Sequence, residues 1–155
     1  MNLKFKIELY EKGSRATLYT VRLEGESITE FEKFLSNPEI KTNPEFEPLV
    51  YGLDDILNKY GCQERFFKLK ESRFNDSVVA LWRGNIRLYC CRYSNIILIL
   101  GSGGIKKTKT YQEDKYLNNI VKIMSEISNR IDKRIIEEKT LCIEDNIFVG
   151  NLKFE

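Results

Sequence analysis

The 155-residue chain contains no histidine and no Cys-x-x-Cys pair, and these two absences exclude several kinds of site. Without histidine, neither a Ser-His-Asp triad nor a histidine-based acid–base mechanism can operate. The four cysteines, Cys62, Cys90, Cys91 and Cys142, lack the spacing of zinc ligands, so we expect no metal site and no cofactor. We interpret them as small apolar residues in a reducing compartment.

Long apolar runs are absent as well. No run approaches the ~18 residues of a membrane span, and the first residues lack the apolar core of a signal peptide. We therefore expect a cytoplasmic protein with no membrane partner. The formal net charge is only +2, so any preference for nucleic acid must come from a local basic patch. A length of 155 residues with 42% hydrophobic residues predicts one domain with its own core.

The most informative stretch contains two strand-like runs, 86–93 and 96–100, separated only by Ser94 and Asn95. This spacing predicts a tight β-hairpin. The second run is apolar on both faces, which predicts a strand in the centre of the sheet. The glycine-rich sequence 101–104 then predicts the end of that strand, because glycine weakens strands and frees the backbone.

Other patterns predict the remaining elements. These are a hairpin over residues 1–24, a helix capped by Ser27 with Glu30, a second helix from Pro48 to Gly61, strands over 65–69 and 77–82, a long helix over 112–134, and a hairpin over 139–155.

Cations and tyrosines alternate around the central hairpin: Arg87, Arg92, Lys106, Lys107 and Lys109, with Tyr89, Tyr93 and Tyr111. Such mixtures suit single-stranded RNA, because charges hold phosphates while rings stack on bases. A solvated charged edge with its aromatics in the core would give the same pattern.

Strand parity separates the two arginines of the first run. Arg87 points opposite to Ile86 and Leu88, so we expect it on an open face of the sheet, where its planar fork could bind phosphate. Arg92 has the other parity, and we expect it to be structural and paired with a carboxylate.

The order of these segments resembles the RelE/ParE toxin superfamily, and most closely its HigB-like, phage-derived branch. Arg87-Leu88-Tyr89 is similar to the strand arginine motif of that family. Residues 104–110, Gly-Ile-Lys-Lys-Thr-Lys-Thr, are similar to its Gly-x-x-Lys-Lys-Thr segment. The resemblance spans roughly residues 26–130, and its distinctive residues lie between Gly84 and Glu113.

The resemblance implies an α+β domain over residues 1–155, in which two N-terminal helices and a C-terminal helix pack on an antiparallel sheet. The hairpins over 1–24 and 139–155 would be additions to this RelE-like fold. It also implies the toxin of a type II toxin–antitoxin system, a metal-independent mRNA endoribonuclease that acts on the ribosome. The partners would be mRNA, the ribosome and an antitoxin of the helix-turn-helix class.

In this family RNA cleavage proceeds by attack of a ribose 2′-hydroxyl on the next phosphate, so a base, a phosphate-stabilising cation and an acid are needed. We expect Arg87 to stabilise the phosphate, Lys107 or Lys109 to supply the base, and Tyr111 to stack or position the substrate. Additional RNA contacts are expected from three further residues: Arg83, Tyr89 and Lys106. Two other functions stay open, a ParE-like toxin that binds DNA gyrase without cutting, and a catalytically silent binding module.

Overall fold

The hairpin around Ser94 and Asn95 forms the centre of the fold in the computed structural model, which describes residues 2–107 and 114–155. Strand β5 (Ile86–Tyr93) turns back into β6 (Ile97–Ile105). Ser94 adopts a left-handed φ of 61°, as tight hairpin turns require. The predicted hairpin is therefore confirmed, and the buried faces of the first four β6 residues confirm its central position.

The remaining strands precede and follow this hairpin. They are β1 (Phe5–Lys12), β2 (Thr17–Leu23), β3 (Phe67–Lys68), β4 (Val78–Arg83), β7 (Leu141–Glu144), β8 (Ile147–Gly150) and β9 (Lys153–Phe154). Four α-helices are described, α1 (Glu30–Ser36), α2 (Pro38–Lys41), α3 (Phe46–Asp55) and α4 (Lys115–Ile136), with a π-turn over Ile56–Tyr60 and a 3₁₀ turn over Glu64–Phe66.

Seven strands form one mixed sheet in the order β3-β4-β5-β6-β2-β1-β9. The pair β2–β6 is parallel, and the other neighbours are antiparallel. Strands β7 and β8 form a separate two-stranded sheet. No helix in residues 2–107 and 114–155 is long and apolar enough to cross a membrane.

The predicted fold class is wrong in two respects. The main sheet is mixed rather than antiparallel, and strands rather than two helices come first in the chain. The hairpin over residues 1–24 is part of the main sheet, with β2 directly beside β6. Alternating hydrophobicity predicts that such strands exist, but it does not say which neighbour they pair with.

The sheet is covered on both faces. Helices α1 to α3 pack on one face with Leu88 and Cys90 in their core cluster. Helix α4 packs on the other face with Tyr89 and Cys91 in its core cluster. The expectation that Cys90 and Cys91 point to opposite faces is confirmed, because neighbouring strand residues alternate.

Helix α1 begins later than predicted. Its capping box pairs Thr29 with Glu32: the Thr29 hydroxyl accepts from the Glu32 N–H, and the Glu32 carboxylate accepts from the Thr29 N–H. The predicted box of Ser27 and Glu30 has the same spacing, so spacing alone could not decide between them. Helix α3 begins at Phe46 rather than Pro48, and the helical segment ends at Gly61 as predicted, with φ of 73°.

The glycines of residues 101–104 do not end the strand, which continues to Ile105. A Cβ on Gly101 would lie 2.5 Å from Met124 Sδ and 2.7 Å from the Tyr89 carbonyl oxygen. A Cβ on Gly104 would lie 3.1 Å from the Tyr116 ring. These glycines therefore let α4 approach the sheet closely.

We predict that Gly101→Ala lowers the free energy of unfolding by about 1–3 kcal/mol, because the added methyl collides with backbone and a buried side chain. Urea denaturation measures this change. The matched control is Gly52→Ala, whose new Cβ meets nothing within 4 Å, and it should gain about 0.5–1 kcal/mol from helix propensity. Equal stability of the two variants would contradict the packing argument.

Candidate functional site

Arg87 lies on β5 with its side chain on the face of the sheet that carries α4. It pairs across the sheet with Trp82 on β4 and with Gly104 on β6. The expected open face is thus partly covered by α4, and Arg87 is only 7% exposed. A buried guanidinium needs partners, because a charge removed from water is costly unless it is hydrogen-bonded.

Among the described residues, Arg87 has few hydrogen-bond partners. Its Nη1 donates to the carbonyl oxygens of Gly84 at 2.7 Å and Ile86 at 3.0 Å. Its Nε is buried and finds no hydrogen-bond partner among the described residues. Burial lowers the pKa of Arg87, and nearby Tyr89 and Glu71 oppose that shift. An unsatisfied buried N–H costs about 1–3 kcal/mol, so this N–H is a good candidate to bind an anion.

Trp82 brings a second cation to the same place. Its ring centroid lies 4.5 Å from Lys68 Nζ and 5.8 Å from Arg87 Cζ. Trp82 is also 42% exposed. Cations over an aromatic face are attracted by its quadrupole, so this arrangement holds two positive charges beside a ring that solvent can reach.

Glu71 supplies a carboxylate to this group of residues. Burial raises the pKa of Glu71, while Lys106, Arg87 and Lys68 act in the opposite direction. Glu71 nevertheless forms no ion pair with any residue in the described part of the chain. We call Lys68, Glu71, Trp82, Arg87 and Lys106 the Arg87 cluster.

The loop that carries Glu71 is tied to α4. The Ser125 hydroxyl donates to the Ser72 hydroxyl at 2.7 Å, and both side chains are buried. Three residues further along the chain, Asn75 Nδ2 donates to Asn129 Oδ1 at 2.8 Å and to Asp132 Oδ2 at 3.0 Å. Helix α4 therefore holds Glu71 near Arg87. The two residues of each of these hydrogen bonds are more than fifty positions apart in the chain.

The lysines predicted from the sequence do not all converge. Lys106 belongs to the Arg87 cluster, but Lys107 Nζ lies 3.2 Å from Glu39 of α2, on the opposite side of the sheet. Lys109 and Tyr111 lie outside the described residues.

Tyr89 and Arg83 are not part of the Arg87 cluster. Tyr89 is 1% exposed in the core beneath α4, so its ring is not available to stack on a base. Arg83 is exposed at the end of β4, with its Nε 3.4 Å from Glu45 Oε2.

Arg92 is structural, as its strand parity predicted. Its Nε donates to the Cys62 carbonyl oxygen at 2.6 Å, and its Nη1 lies 3.6 Å from Glu64 Oε1. The cations of the central hairpin therefore divide between the two faces of the sheet by parity.

Sequence reasoning missed Lys68, Glu71 and Trp82. Trp82 could have been found, because a two-residue turn at Gly84-Asn85 places it directly opposite Arg87. Glu71 and Lys68 carry no local signal, since a polar connection and a two-residue strand bring them to the site.

Comparison with known proteins finds no matching family model, no matching curated protein and no matching solved structure. The resemblance of residues 84–113 to the toxin superfamily therefore stays a prediction. Among residues 2–107 and 114–155, no three Cys, Asp or Glu side chains converge as a metal site would require.

We predict that Glu71→Gln stabilises the fold at neutral pH. The folded-state pKa of Glu71 is raised by burial, so its contribution to stability is present at low pH and is lost as pH rises through that pKa. The advantage of the amide should therefore shrink as the pH falls. Urea denaturation midpoints of the variant and the wild type, measured across a pH series, give this difference in stability. Glu138→Gln, at an exposed position, is the control. An advantage independent of pH would contradict this interpretation.

Proposed function

We propose that this protein is the toxin of a type II toxin–antitoxin pair, an endoribonuclease that cleaves mRNA on the ribosome by 2′-hydroxyl attack. The activity is argued from the Arg87 cluster, and the toxin role from the resemblance of residues 84–113. The observed fold is not used to support the proposal, because strands come first in the chain and the predicted arrangement with two N-terminal helices is not observed.

The observation that carries the activity is the buried Nε of Arg87, which has no hydrogen-bond partner within residues 2–107 and 114–155. Guanidinium groups bind phosphate through two parallel N–H donors, and they stay charged at any physiological pH. Lys68 and Lys106 lie near the carboxylate of Glu71 and add two further cations. A phosphodiester would satisfy the orphaned donor and neutralise this charge, and the charge on a pentacoordinate phosphorane would be stabilised further.

Glu71 is the proposed base. A carboxyl whose pKa is raised by burial accepts a proton more readily than an exposed one. In the proposed step the 2′-oxygen gives its proton to Glu71 and forms a bond to phosphorus. The bond from phosphorus to the 5′-oxygen breaks, and Lys106 gives the leaving oxygen a proton. The products are a 2′,3′-cyclic phosphate and a free 5′-hydroxyl.

Trp82 is the proposed stacking residue, in place of the buried Tyr89. Its exposed ring lies beside the cations that would hold the backbone, and stacking on bases is tolerant of sequence. The antitoxin, expected to be a helix-turn-helix protein, would silence the enzyme by covering the same charges with acidic side chains.

We predict that Arg87→Met reduces cleavage of a single-stranded RNA by about 10²–10³-fold, because one preorganised donor group is lost from the transition state. Arg87→Lys keeps the positive charge but loses the planar guanidinium, so its cleavage rate should lie between those of the wild type and Arg87→Met. Gel assays of a labelled oligoribonucleotide measure the rates. The control, Lys122→Ala, removes a charge from the exposed side of α4 and should change little. Full activity of Arg87→Met would remove Arg87 from the site.

We predict that expression of the wild-type chain arrests bacterial growth and creates new 5′ ends inside translated messages. Glu71→Gln should abolish both effects while remaining folded, because removal of a general base costs about 10²–10⁴-fold in rate. Mapping of mRNA 5′ ends after induction distinguishes the outcomes. Arrest without cuts would instead favour gyrase binding, and normal growth with soluble protein would favour a silent binding module.

A further inference from the structure

A second concave surface lies on the opposite face of the sheet from the Arg87 cluster, between α3 and the end of β4. This groove encloses about 520 Å³, within the range of small-molecule sites. Its buried floor is formed by Leu49, Ile56 and Leu81, and two aromatic residues, Tyr60 and Phe66, form its wall.

Gly52 keeps the groove open at a cost to the helix. It lies inside α3 and lines the groove, yet a Cβ at this position would meet nothing within 4 Å. Glycine in a helix interior is about 0.5–1 kcal/mol less favourable than alanine. Neither a close neighbour nor a left-handed φ requires glycine here, so the empty space itself is the feature that a ligand would use.

Arg65 provides an unneutralised cation at the rim. Its guanidinium carbon lies 4.4 Å from the centroid of Phe66 and 5.4 Å from that of Tyr60. Its Nε donates to Gln63 Oε1 at 2.8 Å, and it forms no ion pair with a carboxylate in the described ranges. Arg83, at the other side of the groove, is paired with Glu45.

Trp82 joins the groove to the Arg87 cluster. The residue borders the groove, while its ring lies on the other face of the sheet, where Lys68 and Arg87 approach it. Only the turn at Gly84 separates Arg83 from the strand that carries Arg87. A chain of phosphates could therefore pass from one surface to the other around the end of β4.

We propose that this groove binds a nucleobase of a single-stranded RNA whose scissile phosphodiester lies further along the strand, in the Arg87 cluster. The base stacks against the aromatic wall, and Arg65 holds an adjacent phosphate. Aromatic rings beside arginine are the usual platform for unpaired bases, and the groove is sized for one nucleotide rather than a helix. This inference rests on the proposed RNA function and adds to it a base-recognition subsite.

The test compares Gly52→Leu, which fills the groove, with Tyr51→Leu, which places the same side chain on α3 outside it. The probe is a single-stranded 2′-O-methyl oligoribonucleotide, which cannot be cleaved, and binding is measured by fluorescence anisotropy. Gly52→Leu should weaken binding by about tenfold or more, the loss expected for one stacked base. Tyr51→Leu should bind as the wild type does.

Kinetics on a cleavable RNA give a second readout. Gly52→Leu should raise KM and leave kcat nearly unchanged, because the groove lies away from the reacting phosphate. Arg65→Gln tests the same subsite without adding volume and should weaken binding less, in a salt-dependent manner. Thermal melting checks that both variants fold.

The outcomes separate the two proposals. If the wild type binds and cleaves RNA and both groove variants match it, the subsite is wrong, the nuclease stands, and the groove becomes a surface for a protein partner. If the wild type binds no RNA, both proposals fail. If Gly52→Leu alone among the α3 variants loses affinity, the subsite is established.

Discussion

The close packing of α4 against β6 is the contact on which the rest of the structure depends. Glycines at 101 and 104 let the helix approach the sheet, where a side chain would collide with Met124 or Tyr116. The same helix closes one core over Tyr89 and Cys91, and it anchors the loop that carries Glu71. Because protein interiors are close-packed, a single added methyl at this contact would disturb both the core and the candidate site.

The candidate site lies at the edge of this packing, where α4 only partly covers the sheet. The guanidinium is buried deeply enough to lose water, but the described part of the chain offers it only two backbone carbonyl acceptors. Glu71 lies near it with a raised pKa and forms no ion pair with any other described residue. Both groups cost folding free energy in this arrangement, and such costs are typical of binding and catalytic sites. The groove between α3 and the end of β4 also costs folding free energy, since Gly52 weakens helix α3 and leaves space unfilled.

Local pattern was sufficient for much of the secondary structure. Two apolar runs two residues apart specified the central hairpin, and a helical stripe specified α4, which starts three residues later than expected. Glu144-Asp145-Asn146 specified the last hairpin, where Asp145 and Asn146 adopt left-handed φ. The glycines of β6 were misread, because Gly101 and Gly104 accommodate helix α4 against the strand and do not end it.

The sequence by itself determined which residues of a strand share a face, since side chains alternate with a period of two. Parity alone therefore separated Arg87 from Arg92. Only the tertiary structure decided what covers each face, that Lys107 pairs with Glu39 away from Arg87, and that Tyr89 is buried. It also decided that Glu71 reaches the site and that β2 joins β6 in parallel. These outcomes depend on contacts between residues far apart in the chain, and no local period encodes such contacts.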